Sequence, residues 1–415
     1  MEFTISCLQL AQALRIVKKA FPQRRISVED IFHFVLIQAT EAGTLAITAT
    51  NAQVWATVTV TESVQVATQG ACAVSYAPFV KAVTAFPVDA TLTVFQVERD
   101  VAVSARGYEM AYIASLEAEA YPAWNAACTP GATHTAAVVG GTWTYQVEQA
   151  QVQRLKVARA TLADAVNRVA FAAATDPTRP VFQTIFTQVE GTRLTLAAAS
   201  SHWIAEYAVP GDINAHAWRF NLLLFAEAMR QAVQFLPEGV VDLEVVVTTE
   251  KLVLRNNSAV TDAEQFLNAC QARLSCGNVA VSLRPVQGTY PNYRMQFPHE
   301  WQTRAVCQVA DLRTAIRECV SSRKHADHRL RLSIGEQTIT ITSLEHDQDT
   351  RKRSVSAEVN GAPLSLVLDG RTLLAFLKVV PLEVVMEFRD AQRPGLFSSQ
   401  GEPGRYAFVQ MPERE

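Results

Sequence analysis

Residues 8–21 read LQLAQALRIVKKAF, and their reading decides the fold. Leu10, Ala13, Leu14, Val17 and Phe21 recur at the spacing of one helix face. The same pattern returns as Leu162, Ala165, Val166 and Val169, and again as Leu312, Ala315, Ile316 and Cys319, at steps of about 150 residues. A second apolar helix repeats in the same order. It contains Phe79 to Val83 ahead of Pro87, Phe225 to Met229 ahead of Pro237, and Leu373 to Leu377 ahead of Pro381. Each proline stops its helix because the ring cannot sit in a continuing helical turn.

Working outward, each copy opens with a short strand, at residues 2–6, 155–158 and 304–309. Runs rich in Val, Ile, Thr and aromatic residues follow, at 34–38, 45–50 and 54–60 in the first copy. Their counterparts are 194–198 and 204–209 in the second copy, and 338–342 and 355–359 in the third. Two more strands close each unit: 91–97 with 101–105, 241–247 with 252–254, and 382–388 with 395–397. The expected class is α+β, with antiparallel sheets and helices packed on one face. Three such units joined sheet to sheet make an arc with helices inside and sheets outside. Two arcs meeting head to tail close a dimeric ring with no open edge.

The expected division is 1–128 for the first domain, 129–150 for a linker rich in Gly, Thr and Ala, 151–297 for the second, and 298–415 for the third. Residues 256–285 read as an insertion in the second domain, with helical spacing over 262–274.

With 49 % apolar and 19 % charged residues among 415, the composition is that of a folded protein with room for several cores. No run approaches the roughly 18 apolar residues of a membrane span, and the start MEFTISCLQL lacks the pattern of a signal peptide. A cytoplasmic location is expected. Seven scattered cysteines form no CxxC and read as reduced, apolar-like thiols.

The net charge of −3 is unevenly spread. Residues 3–28 hold Arg15, Lys18, Lys19, Arg24 and Arg25 and no acid. Residues 151–171 hold Arg154, Lys156, Arg159 and Arg168 against Asp164, and residues 310–331 hold six bases against three acids. The excess falls on the same element of every copy. Related by symmetry, these elements line one surface that would grip a polyanion.

Further motifs carry a resemblance over essentially the whole chain. Residues 176–181 (DPTRPV) precede 194–205 (LTLAAASSHWIA), residues 288–294 read GTYPNYR, and residues 406–414 read YAFVQMPER. In this order and spacing they resemble the bacterial sliding clamp family, the β subunit of the replicative DNA polymerase III. The resemblance implies a non-catalytic processivity factor: a head-to-tail homodimer around duplex DNA, with no metal or cofactor, that tethers polymerase, clamp loader and other partners. Sliding requires contacts that ignore sequence, which phosphate neutralisation supplies.

Carried over by position, Arg24 and Arg25 stand where the family contacts DNA, and the charge count adds Arg15, Lys18, Lys19, Arg154 and Arg168, with Arg179 beside the DPTRPV motif. The family's pocket for short linear motifs maps to Phe182, Ala199, Ser201, His202, Trp203, Ile204, Pro291, Met295, Gly370, Val409, Met411 and Arg414. An apolar groove with a few polar fixers suits such peptides. The dimer interface maps to Ile113, Ser321 and Ser322.

Several positions depart from the family. Ser200, Ser201, Trp203 and Met295 replace more polar or charged residues, giving a greasier pocket. Tyr76 to Pro78 and Asn221 to Leu223 stand where basic residues open the second helix. Ser321 and Ser322 replace an apolar pair, a loss on the order of 2–4 kcal/mol at that contact. The alternative is a monomeric clamp-like protein that keeps the pocket and binds clamp partners without closing a ring. An enzyme is disfavoured: His325 and His328 lack a third ligand at a suitable spacing, and no phosphate-binding or nucleophile motif is present.

Overall fold

The three expected helix pairs form where the apolar spacing places them. A computed structural model describes residues 1–21, 31–122, 130, 133–138, 141–211, 219–255, 258–259, 265–320, 328–344 and 351–413. The helices are α1 (Cys7–Val17), α2 (Tyr76–Thr84), α3 (Arg159–Val169), α4 (Ala226–Phe235), α5 (Val309–Cys319) and α6 (Gly370–Leu377). One hydrogen bond marks the repeat three times. The first residue of α1, α3 and α5 donates its N–H to the carbonyl of Ala90, Gly239 and Leu382, at 2.9, 2.8 and 2.8 Å, each just past the proline that follows α2, α4 and α6. Among the described residues no helix is long and apolar enough to cross a membrane.

The chain divides into two compact units, of which the first comprises Met1–Ala160, Asn214–His216 and Ala228–Pro285. Its antiparallel sheet runs from Thr133–Val138 through Gly141–Ala158, Val240–Arg255, Gln265–Cys276 and Val279–Leu283 into Val54–Val60, Leu45–Thr50 and Phe34–Ala39. It continues through Gly70–Ser75, Ala111–Glu117, Asp100–Ala105, Thr91–Val97 and Glu2–Ser6 to Val64–Thr68. Helix α1 buries Leu10, Ala13, Leu14 and Val17, and α2 buries Phe79 and Val83. These side chains are removed from water at about 1.5–3 kcal/mol each for the larger ones, which is what holds the helices to the sheet.

Three expectations change in this unit. Residues 129–150, read as a joint, contain the strand Thr133–Val138 and the start of Gly141–Ala158, paired with each other. Residues 262–274, read as helical, belong to the strand Gln265–Cys276, which pairs on both sides, with Val240–Arg255 and Val279–Leu283. Its buried Ala272, Leu274 and Cys276 alternate as strand residues do, and pairing on both edges overrides the helix-like spacing. The separate strands expected at 241–247 and 252–254 are one, Val240–Arg255.

The second unit comprises Thr161–Ile213, Ala217–Glu227 and Val286–Glu415. One sheet runs Arg219–Phe225, Thr184–Glu190, Arg193–Ala199, Trp203–Ala208, Tyr406–Gln410, Gly395–Ser399, Glu383–Phe388, Thr303–Gln308, Glu358–Gly361. A second sheet holds Lys352–Ser356, Thr338–Ser343, Arg329–Ile334 and Leu364–Asp369. Asn221, Leu222 and Leu223, expected to open a helix, lie in the strand Arg219–Phe225. Phe376, Phe388, Phe397 and Phe408 are fully buried, with the Phe376 and Phe408 rings stacked at 4.8 Å. Asp369 caps α6 by accepting the Thr372 N–H at 2.6 Å.

Cys7, Cys72, Cys276, Cys307 and Cys319 are free and buried, whereas Cys270 is disulfide-bonded, which corrects the expectation of seven reduced thiols. Burial pushes the Cys72 and Cys307 thiols up to about 12. Their thiolates are therefore scarce at pH 8, and alkylation by iodoacetamide is expected only after unfolding. Peptide mass mapping of native and urea-treated protein checks this. Modification of either thiol in the native chain contradicts it.

Candidate functional site

The strand Arg193–Ala199 turns back through residues 200–202 into Trp203–Ala208. Ser200 builds the turn: its N–H donates to Trp203 O at 2.9 Å, and its Oγ accepts the N–H groups of His202 and Trp203, each at 3.3 Å. A serine at this point satisfies backbone donors that the reversal would otherwise leave unpaired. Trp203–Ala208 then pairs with Tyr406–Gln410, in the register Ile204 opposite Val409, and Met411 N–H extends the pairing to His202 O at 2.8 Å.

Period-two alternation brings one apolar set together on a face of this sheet. Ala197, Ala199, Ile204, Leu223 and Val409 form a buried cluster with Tyr290 and Tyr293. Phe182 and Phe186 pack against it, with Phe186 stacked on Tyr290 at 5.0 Å and Phe182 at 6.3 Å from the same ring. Both tyrosines come from the GTYPNYR segment. Gly288 lets that segment approach: its φ is +137°, and a Cβ there would lie 2.9 Å from Val181 Cγ2. Tyr293 Oη donates to Glu206 Oε2, and Arg294 Nε donates to the same oxygen at 2.8 Å. Burial raises the Tyr290 and Tyr293 hydroxyls, so both rings are neutral at physiological pH.

Phe182, Ala199, Ile204 and Val409 thus meet in one cluster, as the pocket expectation requires. Ser201, His202 and Pro291 are exposed close by in sequence, Met411 is half-buried, and Met295 is 74 % exposed. Trp203 alternates away from Ile204, and its ring lies 5.8 Å from that of His202. Gly370 is not in the cluster. It opens α6 with its N–H on His328 O, and a Cβ there would meet Leu330 Cδ1 and Val320 Cγ2 at 2.6 Å, so close packing accounts for it. Arg414 lies outside the described residues.

The basic residues divide differently from the charge count. Arg15, Lys18 and Lys19 are exposed on α1 and the turn after it, with Lys19 Nζ donating to Gln234 O at 3.1 Å. Arg24 and Arg25 lie outside the described residues. In the second copy every base is matched by an acid. Arg154 pairs with the directly opposed Glu244 at 2.6 Å, Lys156 with Asp242 at 3.4 Å, and Arg159 with Glu238 at 2.7 Å.

Arg168 is a correction. Its side chain, 9 % exposed, donates to Asp164 at 2.8 Å and to Glu402 at 2.6 Å. Its guanidinium also lies 4.6 Å from the Tyr207 ring centroid. Burial works against its charge, and Asp164, Tyr207 and Glu402 outweigh that, holding the guanidinium above its ordinary pKa. It is a packing element and not a phosphate ligand. Arg179 is exposed beside the peptide cluster, 3.5 Å from Ser201 Oγ, where no phosphate-binding role follows from its position.

Ile113, expected at the dimer interface, is buried within its own unit, 4 % exposed. Its neighbours face out instead: Tyr108, Met110, Tyr112 and Leu116 are 52, 42, 62 and 39 % exposed. The alternation of Ala111–Glu117 puts Tyr112 out and Ile113 in. Even-numbered apolar residues over 108–116 are the sequence signal that marks this edge. Ser321 and Ser322 lie outside the described residues.

The comparisons agree with this architecture. Residues 1–125 match the DNA polymerase III beta subunit, N-terminal domain. The Beta sliding clamp of Halalkalibacterium halodurans is 24 % identical over 242 residues, covering 57 % of this chain and 58 % of that protein. That of Staphylococcus aureus (strain Mu50 / ATCC 700699) is 21 % identical over 245 residues, 58 % of this chain and 59 % of its own length. The chain therefore aligns with under two thirds of these relatives' lengths. The fold likeness is wider. The DNA polymerase sliding clamp of Bacillus subtilis superimposes with a TM-score of 0.80 at 18 % identity, covering 100 % of this chain and 99 % of that one. The DNA polymerase III subunit beta of Pseudomonas aeruginosa gives 0.80 at 20 % identity, covering all of both chains. With its N-terminal domain matched and its whole length folded in the same way, the chain is a divergent member of the bacterial DNA polymerase III β-subunit family.

Proposed function

We propose that this protein is a DNA sliding clamp, a non-catalytic processivity factor in the cytosol. Two copies pair head to tail, encircle duplex DNA without regard to sequence, and hold a polymerase, a clamp loader and other partners. The organisation behind this reading is three clamp-type domains, approximately 1–128, 151–297 and 298–415.

The observation that carries the proposal is a repeated strand pairing with one instance left open. Val54–Val60, from the first copy, pairs with Val279–Leu283, which ends the second; Trp203–Ala208, from the second, pairs with Tyr406–Gln410, which ends the third. By the same repeat, Lys352–Ser356 in the third copy and Ala111–Glu117 in the first are the remaining two partners. Lys352–Ser356 is the outer strand of its sheet. Exposed Lys352 and Arg353 complement Glu109 and Glu117 beside the other edge. A strand of a second copy closes both edges at once. The monomeric alternative leaves both open, with the apolar side chains of residues 108–116 in water.

The test is retention on DNA after loading by the host loader with ATP. Retention on a nicked circle and loss when the circle is cut support the proposal. Equal retention on circles and linear fragments overturns it. Arg15 and Lys18 are the exposed bases of α1, and the double change to Ala should flatten the salt dependence of DNA affinity by about 0.9 for each phosphate left without its cation.

A further inference from the structure

The sheet face that carries the apolar cluster does not end with it. In register, Phe186 lies opposite Ala197 and Ala197 opposite Glu206; one step further along the same face, Gln188 lies opposite Thr195 and Glu190 opposite Arg193. There the apolar floor gives way to a cavity of about 160 Å³ lined by Gln188, Glu190, Arg193, Thr195, Glu206 and Arg294. Phe186 and Ala197 are thus shared neighbours of the cluster and the cavity.

The hydrogen-bonding capacity left in this cavity is one-sided. Glu206 already accepts from Tyr293 Oη and Arg294 Nε, and Glu190 Oε1 accepts from Gln188 Nε2 at 3.4 Å. Both acids are engaged by the cavity's own wall. Arg193, by contrast, is exposed and makes no ion pair among the described residues, and Arg294 keeps its two terminal nitrogens beyond the Nε that serves Glu206. What remains is a pair of guanidinium donors beside the Thr195 hydroxyl, in a space the size of one small side chain.

We propose that this cavity is an acidic-residue subsite: it takes the carboxylate of a linear peptide whose apolar residues lie on the adjoining cluster. The inference rests on the pocket reading above and adds the chemistry of one further peptide position. Two guanidinium groups recognise a carboxylate through charge-assisted hydrogen bonds, which an amide of the same shape satisfies less well. The apolar cluster supplies affinity, and the cavity sets which flank of the peptide must be acidic.

Three fluorescein-labelled peptides with the same Gln and apolar anchors test it by anisotropy. One carries an acidic residue before the anchors, one carries it after them, and one carries Gln at both flanks. One acidic isomer is expected to bind about tenfold more tightly than the neutral peptide, about 1.4 kcal/mol. Arg193→Ala should remove that preference while leaving the neutral peptide's affinity unchanged, and Arg193→Lys should keep part of it. Equal binding of all three, or an acid preference that survives Arg193→Ala, overturns the subsite and leaves the apolar pocket standing. Failure of every peptide to bind overturns the pocket reading itself.

Discussion

Arg168→Ala is expected to destabilise the protein by about 2–4 kcal/mol, read as a lower urea midpoint with an unchanged slope. The side chain joins α3 to the C-terminal part of its unit. Besides its two carboxylate partners, its backbone carbonyl accepts Tyr406 Oη at 2.6 Å. Truncation leaves Glu402, 20 % exposed, without its cation, and opens a void against Tyr207 and Tyr406. Asp164 is half exposed, so water screens part of its loss, and the expected cost falls below that of a fully buried pair. Asp164→Asn should accordingly cost less than about 1 kcal/mol. Added salt should change the Arg168→Ala effect little, because a buried pair is weakly screened. A midpoint within about 0.5 kcal/mol of the parent would contradict the assignment of Arg168 to packing.

The second large effect is on self-association. Tyr112→Asp combined with Met110→Ser removes two exposed apolar side chains from the edge at Ala111–Glu117 and adds a charge. At about 1.5–3 kcal/mol for each large side chain buried, the dimer should weaken by at least a hundredfold. Val152, 53 % exposed on the strand Gly141–Ala158, provides the control: Val152→Ser should leave the dimer unchanged. Sedimentation velocity over a dilution series separates the two. Equal weakening by both changes would mean that the effect is general surface chemistry. No weakening by the double change would remove this edge from the interface. The apolar residues over 108–116 also answer the concern raised by Ser321 and Ser322, since greasy area is available on the opposite side of the seam.

The helices were legible in the sequence because their apolar periodicity is strong and each second helix ends before a proline. The strands at Leu45–Thr50, Val54–Val60 and Thr91–Val97 fall where their β-branched runs place them. Long strands were harder. Gly141–Ala158, Val240–Arg255 and Gln265–Cys276 support one another across the sheet, and such pairing between distant segments leaves no local mark.

Charge misled for the same reason. Arg154, Lys156, Arg159 and Arg168 made the second copy look basic, yet Glu244, Asp242, Glu238 and Glu402, distant in sequence, neutralise them. A net charge counted along the chain is not a net charge over a surface. The peptide site was more legible, because Phe182, Ala199, Ile204 and Val409 sit in motifs whose strand alternation turns them to one face. Tyr290, Phe186 and Leu223 were missed as members of that floor, although Tyr290 lies inside the GTYPNYR motif itself. Ile113 was chosen where its outward neighbour Tyr112 carries the exposed area.

The central claim is that two chains close head to tail. Light scattering coupled to gel filtration, from micromolar concentration downward, measures it directly on the 45.6 kDa chain. The account predicts the mass of two chains at micromolar concentration and of one chain for the Tyr112→Asp, Met110→Ser variant. A parent protein with the mass of a single chain at micromolar concentration would contradict the ring.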